Sequence, residues 1–146
     1  MPTSAEMSQN YIDPTREGFA QLKDLPRDHP VEMLNLICLH DKARYADGRE
    51  ATGAEAYAAY GRESLPIFQK VGGQIIWSGD PQFMVIGPED ECWDIAFIAR
   101  YPSGQAFLDM VYDPDYQAIV HHRQAAVKTS RLVRHKPRES GAGFGE

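Results

Sequence analysis

The side chains that could do chemistry in this chain stand where apolar patterns break. Within Asp115–Ala126, Tyr116, Ile119 and Val120, followed by Val127, recur at helical spacing and form one stripe. Arg123 falls in the middle of it. A guanidinium on an apolar face must meet a carboxylate, a carbonyl or an anionic ligand, because an unpaired buried charge is costly. Arg123 is therefore read either as an anchor for a carboxylate or enolate oxygen or as a structural residue. The structural forms are an internal ion pair, for instance with Asp94, and a stem that reaches solvent at the helix end. The adjacent histidines are not equivalent. His121 lies opposite the stripe with Gln117 and Gln124, towards solvent, whereas His122 lies on a flank with Ala118 and Ala125. There it either borders a cleft, as an acid or base, or is a plain flank residue.

Asn35 and Asp94 interrupt two apolar runs. A buried amide needs hydrogen-bond partners, so Asn35 either orients a ligand carbonyl or bonds nearby backbone. Asp94 is a general base if burial raises its pKa, or else the partner of Arg123. Tyr60 sits on the shoulder of a helical stripe, where its hydroxyl can reach a pocket, while Tyr57 lies on the stripe itself. Trp77 is read as a substrate platform or as packing. His40 ends a strand at the rim. Candidate catalytic residues are thus Asp94 and His122, and candidate ligand-binding residues are Arg123, Asn35, Tyr60 and Trp77.

The elements that must position these groups follow from the same patterns. Val31–His40 is the strongest strand signal, apolar on both alternating faces, which places it at the centre of a sheet. Trp93–Tyr101 repeats that character, and Gln74–Trp77 and Phe83–Ile86 read as short strands on either side of a Gly79-Asp80-Pro81 bend. Thr52-Gly53-Ala54-Glu55 has capping-box spacing and starts a helix whose stripe is Ala54, Tyr57, Ala58, Leu65 and Phe68. Pro66 kinks that helix, and Gly72-Gly73 ends it. Pro102-Ser103 and Asp113-Pro114 open two more helices, and Thr129–Lys136 is a last, more polar edge strand. Asp13-Pro14 starts a small helix over Pro14–Leu25.

This order, strand, helix, strand, strand, helices, strand, is the split β-α-β pattern of a ferredoxin-like α+β sheet with its helices on one face. The two-sided apolar strands then need cover on the other face. A second copy of the sheet is the economical cover, so a homodimer is expected. The domain boundaries expected are 1–28 for an N-terminal extension, 29–137 for the ferredoxin-like domain and 138–146 for a Gly-rich disordered tail.

Bulk properties bound the function. With 146 residues and 42% hydrophobic content, one domain with an ordinary core is expected. A net charge of -6 argues against nucleic acid and anionic membranes as partners. The N-terminus lacks a basic segment followed by an apolar run, and no apolar run reaches transmembrane length, so a cytoplasmic protein is expected. Cys38 and Cys92 read as free thiols. Phosphate loops, nucleophile elbows and metal-ligand spacings are missing, so neither a metal nor a cofactor is expected.

Met33-Leu34-Asn35-Leu36, Asp47-Gly48-Arg49, Ala56-Tyr57-Ala58-Ala59-Tyr60-Gly61 and Asp113–Ile119 with His121-His122-Arg123 together resemble the domain of unknown function 1330 family. Tyr11-Ile12-Asp13-Pro14-Thr15 is similar to the N-terminal extension of its longer members. The resemblance runs to about Lys136 and implies a dimeric α/β-barrel fold, with no settled activity. Cofactor-free monooxygenases and isomerases on related barrels are an analogy of fold. The function expected is binding of a small anionic or aromatic metabolite, with or without cofactor-free acid/base chemistry. The alternative is a non-catalytic ligand-binding or assembly module.

Overall fold

The computed structural model describes residues 11–139, 141 and 143–145. The looseness expected of residues 1–10 lies outside them. The elements run α1 (Arg16–Asp24), β1 (Val31–Leu39), α2 (Gly53–Lys70), β2 (Gln74–Gly79), β3 (Ile95–Tyr101), α3 (Gly104–Tyr112), α4 (Pro114–Ala126) and β4 (Val127–His135). The strands form one four-stranded antiparallel sheet in the order β2-β3-β1-β4. This is a ferredoxin-like α+β fold, with β1 central and β4 at an edge. No helix among the described residues is long and apolar enough to cross a membrane.

Local chemistry explains the ends of the helices. The Thr52 hydroxyl accepts from Glu55 N at 3.0 Å, and the Glu55 carboxylate accepts from Thr52 N at 2.9 Å, so the capping box forms. Asp113 caps α4, with Pro114 inside its first turn. Gly72, at φ +84°, supplies the left-handed turn after α2, which runs on through Pro66. One cap differs from expectation. Thr15, not Asp13, caps α1, its hydroxyl accepting from Gly18 N at 2.9 Å, because Asp13 is held by α4 instead.

Two cores seat the helices on one sheet face. Val31, Met33, Ala99 and Tyr101 pack with Ile67, Ala106 and Met110, and Ile37 packs with Ala56, Ala126 and Val127. The buried face of α2 is Gly53, Ala56, Ser64 and Ile67, rotated from the expected stripe, and Leu65 is half-exposed. In α4 the buried residues are His122, Ala125 and Ala126. The Tyr116–Arg123 stripe is only partly buried, because it borders a hollow rather than solid packing.

On the opposite sheet face lie Leu34, Leu36 and Cys38, with Ile98 and Val133 flanking Leu34. None of them belongs to either core, and they are half-buried or exposed. Two strand expectations change. β3 begins at Ile95, after Trp93 and Asp94, and Phe83–Ile86 is not a strand. That segment has the side chains of a strand, but it pairs with neither outer edge of the sheet, β2 or β4.

Candidate functional site

Between the helices and the sheet lies a cleft with a volume of about 1250 Å³. The floor is Met33 and Asn35 of β1, Phe97 and Tyr101 of β3, and Ser130 and Leu132 of β4. Tyr57 and Tyr60 of α2 and Tyr116, Val120 and Arg123 of α4 form the walls. Tyr11–Arg16 with Phe19 and Leu22 closes one side. Helical spacing explains the walls: residues three, four and seven apart share a face, so Tyr57 with Tyr60, and Tyr116 with Arg123, look the same way.

The polar centre of the cleft is a pair of phenols. The Tyr60 and Tyr116 hydroxyls are 2.9 Å apart, with their rings edge-to-face at 6.1 Å. Burial, with Tyr116 beside it, raises the Tyr60 pKa well above its ordinary value. Burial also pushes Tyr57 up to about 12, against the pull of Arg123, and raises Tyr116 and Tyr101. These hydroxyls are therefore neutral at pH 7, able to donate as well as accept. Asn35 lines the same cleft, and its amide nitrogen donates to Met33 O at 3.1 Å.

Arg123 lines the cleft, but its guanidinium is engaged. It donates to Ile12 O at 2.6 Å and to Ser130 Oγ at 3.3 Å, and stands 3.9 Å from Asp13 Oδ1. Ser130 in turn donates to Tyr11 O through both N, at 2.8 Å, and Oγ, at 2.7 Å. The Gln124 amide donates to Asp13 Oδ2 at 3.3 Å. Arg123, Gln124 and Ser130 thus staple Tyr11–Asp13 over the cleft. Of the partners read for Arg123 from sequence, the geometry supplies the carbonyl of Ile12 and, at 3.9 Å, a carboxylate, that of Asp13 rather than Asp94.

Asp94 is not the partner of Arg123. Its carboxylate accepts from Leu39 N at 2.7 Å while its own N donates to Ile37 O at 2.8 Å, which ties β1 to the start of β3. His122 lies outside the cleft, between Tyr45 and α2. Tyr45 Oη lies 2.7 Å from Nδ1, and Glu63 Oε2 lies 2.8 Å from Nε2. With Nε2–H donating to the carboxylate, Nδ1 accepts the Tyr45 proton. Burial and the neighbouring His121 lower the His122 pKa, with Glu63 opposing. Trp77 is 50% exposed and pairs across from Ile98, which puts it away from the cleft. His121 is exposed, as the helical spacing implies, and stacks on His122 at 4.1 Å.

The structure therefore brings Arg123, Asn35 and Tyr60 into one cleft and leaves Asp94, His122 and Trp77 outside it. Sequence reasoning passed over Tyr116, Ser130 and the Tyr11–Asp13 strap. A signal existed for Tyr116, which shares the α4 stripe with Arg123 one heptad earlier. For the strap the sequence offered only the resemblance of Tyr11–Thr15 to an N-terminal extension, which says nothing of what it covers. Among the described residues no group of His, Cys, Asp or Glu could hold a metal ion, and Cys38 and Cys92 are free thiols.

The family model described as domain of unknown function (DUF1330) matches residues 48–135. No functionally curated protein matches the chain. The chain is similar to RPA0582, a protein of unknown function from Rhodopseudomonas palustris, at 54% identity. That match has a TM-score of 0.85 and covers 89% of this chain and 98% of the other. The methylated form of RPA0582 gives a TM-score of 0.89 at the same 54% identity, over 91% and 98% of the two chains. SnoaB, a cofactor-independent oxygenase from Streptomyces nogalater, shares the fold at a TM-score of 0.51. It is 16% identical, with 79% of this chain and 99% of that one covered.

Proposed function

The chain belongs to the DUF1330 family, and we propose that its cleft binds a small, largely apolar, neutral molecule carrying a carbonyl or hydroxyl oxygen. The observation that carries this reading is the Tyr60–Tyr116 hydroxyl pair, 2.9 Å apart in a mostly apolar cleft of about 1250 Å³. Concave, mostly apolar sites with few convergent polar groups are where small molecules bind. Two neutral phenols and the Asn35 amide suit a carbonyl or phenolic oxygen. An anion is favoured less, because the guanidiniums that line the cleft are engaged or exposed: Arg123 serves Ile12 and Ser130, Arg134 serves Pro26 O, Arg131 serves Glu91, and Arg16 is exposed. Aromatic walls favour a planar ring system. The bases read from the sequence, Asp94 and His122, are bonded elsewhere, so binding is the stronger reading and acid/base chemistry the weaker.

We also infer that two copies pair through their open sheet faces. Leu34, Leu36, Ile98 and Val133 would otherwise stay in contact with water, and a patch of that kind marks an interface. A net charge of -6 supports a partner list without nucleic acid or anionic membrane.

Calorimetry with neutral hydroxylated aromatic ketones, beside carboxylate analogues of matched ring size, tests the ligand class. The ketones should bind, and Tyr60→Phe should weaken them about 2- to 12-fold, the value of one neutral hydrogen bond. Preference for the carboxylates, or affinity indifferent to Tyr60, would remove the reading.

A further inference from the structure

A second polar cluster stands outside the cleft, built from three elements: Tyr45 of the loop 40–52, Glu63 of α2 and His122 of α4. The loop is pinned along the end of α4, where His40 N donates to Ala126 O at 2.9 Å and Arg44 N to Ala125 O at 2.8 Å. That sets Tyr45 beside His122. Glu63 Oε2 lies 2.8 Å from Nε2 of the imidazole and Tyr45 Oη lies 2.7 Å from Nδ1. His122 is 8% exposed, so both ring nitrogens are committed to these partners. A carboxylate on Nε2–H, a bare Nδ1 and a hydroxyl on that nitrogen follow the order of an orienting group, a base and a nucleophile.

Tyr45 also borders open space. With Arg44, Asp47, Arg49, His121 and Gln124 it lines a hollow of about 340 Å³, room for a small acyl group. Arg49, bonded to Asp47 at 2.8 Å, holds its guanidinium carbon 4.4 Å from the centre of the Tyr45 ring. A cation over the ring steadies negative charge gathering on the phenol oxygen. Among the described residues Arg44 makes no ion pair, which leaves a second cation for the charge that develops on an attacked carbonyl.

We propose that Tyr45 is a nucleophile towards small activated esters, with His122 as its general base and Glu63 as the positioning residue that orients the base. Tyr45 Oη bonds to the carbonyl carbon while its proton passes to His122 Nδ1. The ester bond to the leaving group breaks, and His122 gives that proton to the departing atom. Water then attacks the acyl-tyrosine by the same route, releasing the acid and restoring the phenol. The intermediate is itself an aryl ester. Substrates that reach it without an uphill step therefore carry a leaving group as good as a phenol, as aryl esters and thioesters do. Acylation here and ligand binding in the cleft are independent.

The probe is p-nitrophenyl acetate, with acetyl groups located and timed on each tyrosine by peptide mass spectrometry. Tyr112, 57% exposed and bonded to no imidazole, is the reference phenol. At pH 7 Tyr45 should take the acetyl group about 100-fold faster than Tyr112, the lower end of what a general base contributes. His122→Gln should remove that advantage with circular dichroism unchanged. The groups facing His122 are Tyr45 and Arg49 from the loop, Glu63 and Arg62 from α2 and His121 from α4, and of these Glu63 alone favours its protonation. The Tyr45 rate should level off above about pH 6.5, the range of imidazole, while that of Tyr112 climbs towards about 10, the range of a free phenol. Glu63→Gln should move the Tyr45 midpoint to lower pH, which a purely structural carboxylate would not do. If His122→Gln does not fold, the wild-type profile and the ratio of Tyr45 to Tyr112 decide. Acetylation of Tyr45 no faster than that of Tyr112, or at a rate that follows phenol ionisation, overturns the proposal and leaves the cluster as a tie between loop and helices. An unmoved midpoint in Glu63→Gln overturns the role of Glu63.

Discussion

Replacing Arg123 by Met asks what the guanidinium does. Met keeps much of the aliphatic stem and removes the charge. In the structure the charge serves a backbone carbonyl at 2.6 Å and a hydroxyl at 3.3 Å, while the nearest carboxylate, Asp13, is 3.9 Å away with its side chain half-exposed. A hydrogen bond from a charged donor contributes about 1.5–3 kcal/mol. The half-exposed Asp13 contact adds about 0–1 kcal/mol after screening. Ile12 sits in the exposed N-terminal strap and regains water once released, so the net loss should be about 1–3 kcal/mol. Breaking a buried ion pair would instead cost about 3–5 kcal/mol. The loss should also be local. Residues 11–25 should detach while β1, α2 and α4 hold, as one sub-global unit. Denaturant melts give the size, and hydrogen exchange across residues 11–25 gives the place. A loss above about 4 kcal/mol with uniform deprotection would show that Arg123 holds the core. Unchanged protection of residues 11–25, with ligand affinity collapsing, would show that it anchors ligand instead.

Further outcomes follow from the same geometry. Tyr60→Phe and Tyr116→Phe should each cost about 1 kcal/mol by leaving the other hydroxyl unpaired, while the double change should cost less than their sum, a coupling that a double-mutant cycle in urea measures. Because the folded pKa of His122 lies below its ordinary 6.5, the unfolded chain binds more protons below that pH, so stability should fall on acidification through 6.5, and His122→Gln should flatten the slope seen in melts across that range. Tyr57, Tyr60, Tyr101 and Tyr116 shift upward from 10.0, so the unfolded chain ionises first and melts should show stability falling as pH rises past 10. Gly53→Ala should destabilise by more than about 1–3 kcal/mol, measured by thermal unfolding, since the new Cβ would fall 1.9 Å from the His40 carbonyl oxygen, which belongs to backbone and cannot rotate away.

What the sequence by itself determined about this protein is whatever a few neighbouring residues decide. The two-sided apolar run at Val31–Leu39 put β1 in the middle of the sheet. Thr52 and Glu55 started α2, and Pro114 started α4, because caps and first turns are local hydrogen bonding. From the order of those elements came the ferredoxin-like fold and the face left open beside Leu34 and Ile98. The tertiary structure alone decided the partners of the polar groups. Arg123 meets Ile12 111 residues away, Tyr60 meets Tyr116 56 away, and His122 meets Tyr45 77 away. Periodicity tells which way a side chain points from its own helix, but not which strand, loop or strap crosses there. The same limit explains Phe83–Ile86. Side-chain type makes those residues fit for a strand, but a strand exists only where its backbone pairs with another strand, and whether the loop carries Phe83–Ile86 alongside the open edge of β2 or β4 is decided by the whole fold.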